Sequence, residues 1–213
     1  MFHEIAVEKE TLTLIRRLHR DPELSQMHLG GTAALSLWLG HVRSENIALY
    51  SVSAFDVRQL LEYLEREYRF AMEYQSPDSL RGFISGVFVD IFAHGHPLVK
   101  EIVSIDGIRL YSPEDIAAMK IRDIYSDGYR ISDFIDLVFL LDKFTLTEML
   151  SFYRIKYDRD STLQALKSLV YFDDLYPNAR WPELLMKKKM TLAGIKNALS
   201  TAVKETVGIG MIG

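Results

Sequence analysis

Two adjacent glycines mark a segment of this sequence that is suited to chemistry on a phosphate. Gly30 and Gly31 follow a short apolar stretch at residues 27–29 and precede a stretch rich in helix formers at residues 32–40. A strand, two glycines and a helix N-terminus can together present backbone N–H groups to a phosphate. The same pattern is also typical of a tight strand-to-helix turn that binds nothing, so this segment alone leaves both interpretations open.

The composition limits the classes of protein to consider. The 213 residues include no cysteine, which excludes disulfides, thiolate catalysis and zinc sites built on cysteine. The formal net charge of −4 disfavours a broad basic surface for nucleic acid. The run Lys187-Lys188-Lys189 could still contact RNA or a partner, and is otherwise a solvated face. No apolar run approaches the roughly 18 residues of a membrane span, and the N-terminal residues lack a signal-peptide core. We therefore expect a cytoplasmic protein with no membrane partner.

The periodicity of apolar residues divides the chain into a mixed α/β part at residues 1–111 and a helical part at residues 112–213. Strands are predicted at residues 46–50, 69–75, 80–85, 86–93, 101–105 and 107–111. Helices are predicted at residues 4–20, 32–40, 56–68, 112–126, 132–142, 146–156, 161–171 and 191–206. Two capping boxes are expected, one from Ser53 to Asp56 and one from Thr145 to Glu148. The predicted fold class is α+β.

Longer segments of the sequence point to one family. The Gly-Gly-Thr run leads to Asn46-Ile47-Ala48, and later segments read GVFVDIF at 86–92, GIRLYSPEDIAAMK at 107–120 and SDFIDLVFLL at 132–141. In order and spacing, residues 27–157 resemble the AbiEii-type nucleotidyltransferases, which are toxin components of type IV toxin–antitoxin systems in bacterial abortive infection. The resemblance implies a polymerase β-like nucleotidyltransferase fold, in which a mixed sheet with helices is followed by a helical C-terminal half.

The resemblance also implies a metal site, from which this sequence departs. In that family three carboxylates hold two Mg²⁺ ions, which bridge the phosphates of a nucleoside triphosphate and activate the attacking hydroxyl. Asp90 matches the third carboxylate, whereas Asn46 and Ala48 occupy the two aspartate-x-aspartate positions on one strand face. Since hard divalent cations prefer charged oxygen ligands, we expect a degenerate site with impaired catalysis, unless a bulge brings Glu45 to that face. Asp90 could otherwise be an ordinary acid at a strand edge.

Other side chains gain roles only through the resemblance. It implies that Lys120 faces a nucleotide phosphate and that Asp133 and Asp136, which share a helix face at i and i+3, are also catalytic. Without the resemblance, Lys120 would be interpreted as a surface lysine, and Asp133 as an acid favoured at the start of a helix. Residues implied to bind the nucleotide are Gly30, Gly31, Thr32, Arg43 and Ser44. Arg43 could equally be a solvated loop arginine. We expect Lys120 and Asp133 to share a cleft with Asp90.

Three functions remain open from the sequence. The first is an AbiEii-type protein with impaired catalysis. The second is an active Mg²⁺-dependent enzyme that moves a nucleoside monophosphate from an NTP to RNA or protein, and the third is a module that binds a nucleotide or a partner without turnover. The family implies Mg²⁺ and NTP as cofactors, with an antitoxin protein and a nucleotide or tRNA as partners. His94 and His96 precede Pro97 and favour a turn over a metal pair.

Overall fold

The computed structural model describes residues 2–158, 160–175, 181–186 and 190–210. The chain forms two compact units, the first made of Met1–Pro97 and Glu101–Ser112 and the second of Leu98–Lys100 and Pro113–Gly213. The basic run Lys187–Lys189 lies outside the described residues, so its contact with RNA or a partner stays a prediction.

Within the described residues there are seven strands and eight α-helices. The strands are β1 (Met27–Leu29), β2 (Ile47–Ser51), β3 (Ala71–Ser76), β4 (Ser79–Ile84), β5 (Val87–Ala93), β6 (Val103–Ile105) and β7 (Ile108–Leu110). The helices are α1 (Lys9–Arg20), α2 (Gly31–Leu39), α3 (Val57–Tyr68), α4 (Pro113–Ser126), α5 (Ile131–Leu140), α6 (Leu146–Lys156), α7 (Thr162–Ser168) and α8 (Leu192–Gly210). All strands lie in the first unit, and the second unit is helical, so the predicted α+β class is confirmed.

The seven strands form one mixed sheet in the order β3-β4-β5-β2-β1-β7-β6. Strand β2 runs parallel to β5 and antiparallel to β1, and β1 runs parallel to β7. The β3–β4, β4–β5 and β6–β7 pairs are antiparallel. The strand that follows Asn46 therefore lies at the centre of the sheet, next to the strand that carries Asp90.

The two faces of the central strands differ in burial because successive side chains of a strand point to opposite faces. Ile47 and Leu49 of β2 are buried, whereas Ala48 and Tyr50 are half-buried. The same alternation on β5 leaves Asp90 half-buried between buried neighbours. Helices α1, α2 and α3 pack against the sheet and complete the core of this unit. The half-buried face, which carries Ala48 and Asp90, is therefore the face of the sheet that a ligand can reach.

A long-range backbone pairing shortens the predicted N-terminal helix. Residues 4–20 were expected to form one helix, but Glu4–Ala6 form only a 3-10 turn, and α1 begins at Lys9. Between them, the N–H of Glu8 donates to the carbonyl of Ser44 at 3.0 Å, and the N–H of Ser44 donates to the carbonyl of Ala6 at 2.9 Å. These hydrogen bonds hold the chain extended at Val7 and so end the local helical pattern.

The two expected capping boxes have different outcomes. Thr145 and Glu148 form the reciprocal hydrogen bonds of a capping box at α6, as predicted. At α3 the prediction is wrong, because Asp56 is itself the N-cap and accepts hydrogen bonds from the N–H groups of Arg58 and Gln59 at 2.9 and 3.0 Å. Since an N-cap carboxylate can satisfy two of the exposed N–H groups at a helix start, Ser53 is not needed there.

The first unit encloses a neutral histidine beside an arginine. Arg109 of β7 donates hydrogen bonds to three backbone carbonyls, those of His19 at 2.8 Å, Leu24 at 2.9 Å and Met27 at 3.2 Å. Its own N–H points at Nδ1 of His19, at 3.4 Å. Burial, followed by the charges of Arg109 and His28, lowers the pKa of His19 from 6.5 to about 3. The native protein therefore keeps this imidazole uncharged at neutral pH.

This histidine should make the protein less stable in mild acid. Below pH 6.5 the unfolded chain takes up a proton that the folded chain refuses until about pH 3, so stability falls as the pH falls through that interval. Between pH 6.5 and 5 we expect this group to remove about 1–2 kcal/mol from the free energy of unfolding. Urea titrations at several pH values should give a flatter profile for His19→Gln than for the natural protein. Equal profiles for the two proteins would contradict the assignment.

A charged pair is completely enclosed in the helical unit. Lys156 of α6 contacts Asp115 of α4 through Nζ and Oδ1 at 2.8 Å, and both side chains are 0% exposed. The same carboxylate accepts hydrogen bonds from the N–H groups of Val99 and Lys100 at 2.9 and 3.0 Å. Asp115 therefore joins α4, α6 and the segment Leu98–Lys100.

Among the helices that the structure describes, none is both long enough and apolar enough to cross a membrane.

Candidate functional site

The glycine pair forms the predicted turn between a strand and a helix. Gly30 follows β1 and is the N-cap of α2, and its N–H donates to the carbonyl of Ala48 at 2.9 Å. Gly31 has a φ of +60°, a backbone conformation that glycine adopts without strain. A Cβ on Gly30 would lie 2.6 Å from Cε2 of Tyr50. The expectation of a strand-to-helix turn is confirmed, and both its conformation and its close approach to β2 favour glycine.

Three neighbouring strands bring the matched residues of the metal motif into one row. The parallel register of β2 and β5 sets Ala48 opposite Asp90, and the antiparallel register of β4 and β5 sets Arg81 opposite Asp90. On the other side of Ala48, a Cβ on Gly31 would lie 3.3 Å from the Ala48 Cβ. The row therefore runs from Arg81 through Asp90 and Ala48 to the glycine turn.

Asp90 is paired with an arginine that the sequence analysis missed. Nε of Arg81 donates to Oδ1 of Asp90 at 2.6 Å, and the two side chains are 42% and 19% exposed. The guanidinium also lies over the ring of Tyr74, 5.9 Å from its centre. A signal for this pair was present, since Arg81 and Asp90 stand at equal distances from the hairpin turn Ser85-Gly86, and residues placed in this way face each other across a hairpin.

The residues on this face do not fit a site for two Mg²⁺ ions. Asn46 precedes β2, is exposed and offers one neutral oxygen, and Ala48 offers no ligand atom. Asp90 is in an ion pair with Arg81. Glu45 is exposed and precedes the strand by two residues, and the register between β2 and β5 is regular from Ile47 to Ser51, with no bulge at the start of β2. Within the described residues there is no cluster of three histidines or acids that could hold a metal.

An aromatic group borders the glycine turn on the same sheet face. The Tyr50 ring stacks on the Phe92 ring, with 5.3 Å between their centres. The rings of His94 and Tyr111 make T-shaped contacts with Tyr50, with centre-to-centre distances of 5.6 and 5.8 Å. The N–H of His96 donates to the carbonyl of His94 at 2.8 Å, which closes the tight turn expected there. This aromatic group adjoins the glycine turn, because Cε2 of Tyr50 lies 2.6 Å from the position that a Cβ on Gly30 would take.

Lys120, Asp133 and Asp136 meet inside the helical unit. Nζ of Lys120 lies 2.6 Å from Asp133 and 2.7 Å from Asp136, and Arg130 adds a contact to Asp133 at 2.9 Å. Burial alone would lower the pKa of Lys120, but the two carboxylates outweigh burial and raise it. The alternative of an ordinary surface lysine is wrong, because Lys120 is only 4% exposed. A catalytic role for the three residues, and a cleft shared with Asp90, stay predictions.

The remaining residues implied to bind a nucleotide stand before β2 or at the start of α2. Thr32 is the second residue of α2 and is half-exposed. Arg43 contacts Glu8 through Nη1 and Oε1 at 3.3 Å, so its charge is partly used by a carboxylate of the same unit. Ser44 is buried and its hydroxyl donates to the carbonyl of Asn46 at 3.4 Å. Arg43 and Ser44 thus stabilise the approach to β2 whatever else they bind.

One curated protein and several solved structures are similar to this chain. Uncharacterized protein aq_aa25 from Aquifex aeolicus is 30% identical over 156 residues, which are 70% of this chain and 75% of that protein. No protein-family model matches the chain.

The structural similarities fix the fold. The structure of JHP933 from Helicobacter pylori is 18% identical, covers 99% of this chain and 96% of its own, and has a TM-score of 0.53. The structure of a proposed nucleotidyltransferase from H. pylori is 18% identical, covers 93% of this chain and 95% of its own, and has a TM-score of 0.55. ANT(2'')-Ia in complex with adenylyl-2''-tobramycin is 15% identical, with coverage of 68% and 95% and a TM-score of 0.51. The expected nucleotidyltransferase fold is confirmed.

Proposed function

We propose that this protein, which belongs to the same family as aq_aa25 of Aquifex aeolicus, is an AbiEii-type nucleotidyltransferase-fold protein that binds a nucleotide and transfers it slowly or not at all. The observation that carries the proposal is the ion pair between Asp90 and Arg81 at 2.6 Å, beside Ala48. A single carboxylate already bound to a cation is a poor ligand set for two divalent ions. The chemistry that needs those ions is therefore impaired.

Two features support nucleotide binding on the same face. The turn at Gly31 opens the nine-residue helix α2, and N–H groups at such a position suit a phosphate. Tyr50 and Phe92 next to the turn give a flat surface on which a base would pack. ANT(2'')-Ia, a protein of this fold, has a crystal structure in complex with adenylyl-2''-tobramycin, and we extend to this chain only the use of a nucleotide.

The proposed partners follow from the resemblance at residues 27–157. An AbiEii-type toxin component acts together with an antitoxin protein, so we propose an antitoxin as the protein partner and tRNA as the nucleic-acid partner. Without efficient transfer, the protein would act by holding its nucleotide or partner. Mg²⁺ would not be a resident cofactor.

Calorimetric titration with ATP, CTP, GTP and UTP, each in chelator and in millimolar Mg²⁺, tests nucleotide binding. We expect at least one nucleotide to bind in chelator, so that binding does not require Mg²⁺, because the protein offers no adequate ligand set for that ion. The variant Gly31→Ala, which places a side chain at a positive φ against Ala48, should weaken binding, with thermal unfolding as the check on folding. Binding that requires Mg²⁺ would favour an active transferase instead. Failure of all four nucleotides to bind would contradict the proposal.

A further inference from the structure

The aspartate-x-aspartate positions are not the only departure from a metal site on this sheet face. Arg81 of β4 stands directly across from Asp90 and holds one oxygen of its carboxylate. A guanidinium at hydrogen-bond distance from a carboxylate repels any further cation that approaches the same group. Asn46 and Ala48 remove ligands, and Arg81 adds a positive charge, so the three residues act in the same direction.

We propose that the Arg81 guanidinium takes the place of a divalent cation at Asp90, which closes this face to Mg²⁺ and Mn²⁺ and supplies the positive charge for a bound polyphosphate. The second half of this statement rests on the proposed nucleotide binding, and the first half does not. A planar guanidinium pairs well with phosphate oxygens. Unlike a metal ion, it remains in place in chelator.

The geometry allows one arginine to serve both groups. Arg81 uses Nε for Asp90, and neither of its Nη groups hydrogen-bonds to any residue that the structure describes. The side chain is 42% exposed, so a ligand can reach it. Ala48 separates Asp90 from Gly31 without a polar group, so the guanidinium and the backbone of the glycine turn stand on either side of Asp90 and Ala48 in the same row.

Mn²⁺ binding tests whether Arg81 closes the site at Asp90 to divalent cations. It is measured as the loss of the electron paramagnetic resonance signal of the free ion. The proteins are the natural chain, the double variant N46D/A48D, and that variant combined with either R81Q or R81K. We expect no binding by the natural chain, weak binding by the double variant, and binding tighter by about tenfold or more when R81Q removes the like charge. R81K retains the charge and should resemble the double variant. Equal affinities for N46D/A48D with and without R81Q would overturn the proposal, as would Mn²⁺ binding by the natural chain that D90N abolishes.

A second measurement keeps the proposal testable if a combined variant fails to fold, which circular dichroism will report. In chelator, R81Q alone should weaken nucleotide binding by about tenfold or more, because a charge-assisted contact to phosphate is lost. R58Q, which removes an exposed arginine at the start of α3, should leave binding unchanged. Equal losses for R81Q and R58Q would overturn the role of Arg81 in ligand binding. If no protein binds a nucleotide, the proposed function fails, and the Mn²⁺ series still decides whether Arg81 closes the metal site.

Discussion

Replacing Asp115 by asparagine should lower the free energy of unfolding by about 3–5 kcal/mol, the usual cost of breaking a buried ion pair from one side. The substitution leaves the enclosed ammonium of Lys156 without the carboxylate that it contacts at 2.8 Å. It also takes one oxygen acceptor from the N–H groups of Val99 and Lys100. Burial already lowers the pKa of Lys156 in spite of the neighbouring Asp115 carboxylate. Because the ammonium is enclosed, water does not replace the lost negative charge. Urea unfolding, followed by far-ultraviolet circular dichroism, measures the effect.

Two matched proteins separate charge burial from a general effect of substitution. D115N combined with K156M should recover most of the lost stability, because no uncompensated charge then remains in the interior. E67Q, which changes one partner of the exposed pair Arg66–Glu67, should leave the unfolding curve where it is, since exposed pairs contribute little. A D115N curve that overlies that of E67Q would contradict the structural role given to Asp115.

Local patterns were enough to predict the elements whose ends depend on neighbouring residues. The turn at Gly30 and Gly31, the helix stop at Gly40 with a φ of +66° and the capping box at Thr145 all depend on nearby residues. The N-terminal helix failed at Val7 because its backbone pairs with Ser44, far away in the sequence. A periodicity measured over a short window does not register such a pairing.

The candidate site divides in the same way. The lack of metal ligands at Asn46 and Ala48 was visible in the sequence, because side-chain chemistry and strand spacing alone decide it. The pairing of Asp90 with Arg81 required the register of a hairpin, and the burial of Lys120 between two aspartates required the packing of α4 against α5. Both are long-range facts, and each changes the meaning of a charge that the sequence could only locate.

The natural chain should transfer nucleotides so slowly, if at all, that no product is detected under conditions that suit an enzyme with a complete metal site. A metal ion at such a site supplies several kcal/mol of charge stabilisation in the transition state, and about 1.4 kcal/mol is tenfold in rate. A chain with one carboxylate, already bound to Arg81, should therefore be slower than an enzyme with all three by on the order of 10³-fold or more. Addition of Mg²⁺ or Mn²⁺ should not restore the rate.

Transfer of an α-labelled nucleotide tests this account most directly. The natural chain, Asp90→Ala and Glu62→Ala, the last at an exposed acid of α3, are each incubated with the four nucleotides, Mg²⁺ or Mn²⁺, and tRNA, with the protein itself as a second acceptor. We predict that neither the natural chain nor Glu62→Ala will give more labelled product than Asp90→Ala, with any of the four nucleotides or either acceptor. Labelled product from the natural chain and Glu62→Ala, abolished by Asp90→Ala, would contradict the account and make Asp90 a working metal ligand in spite of Arg81.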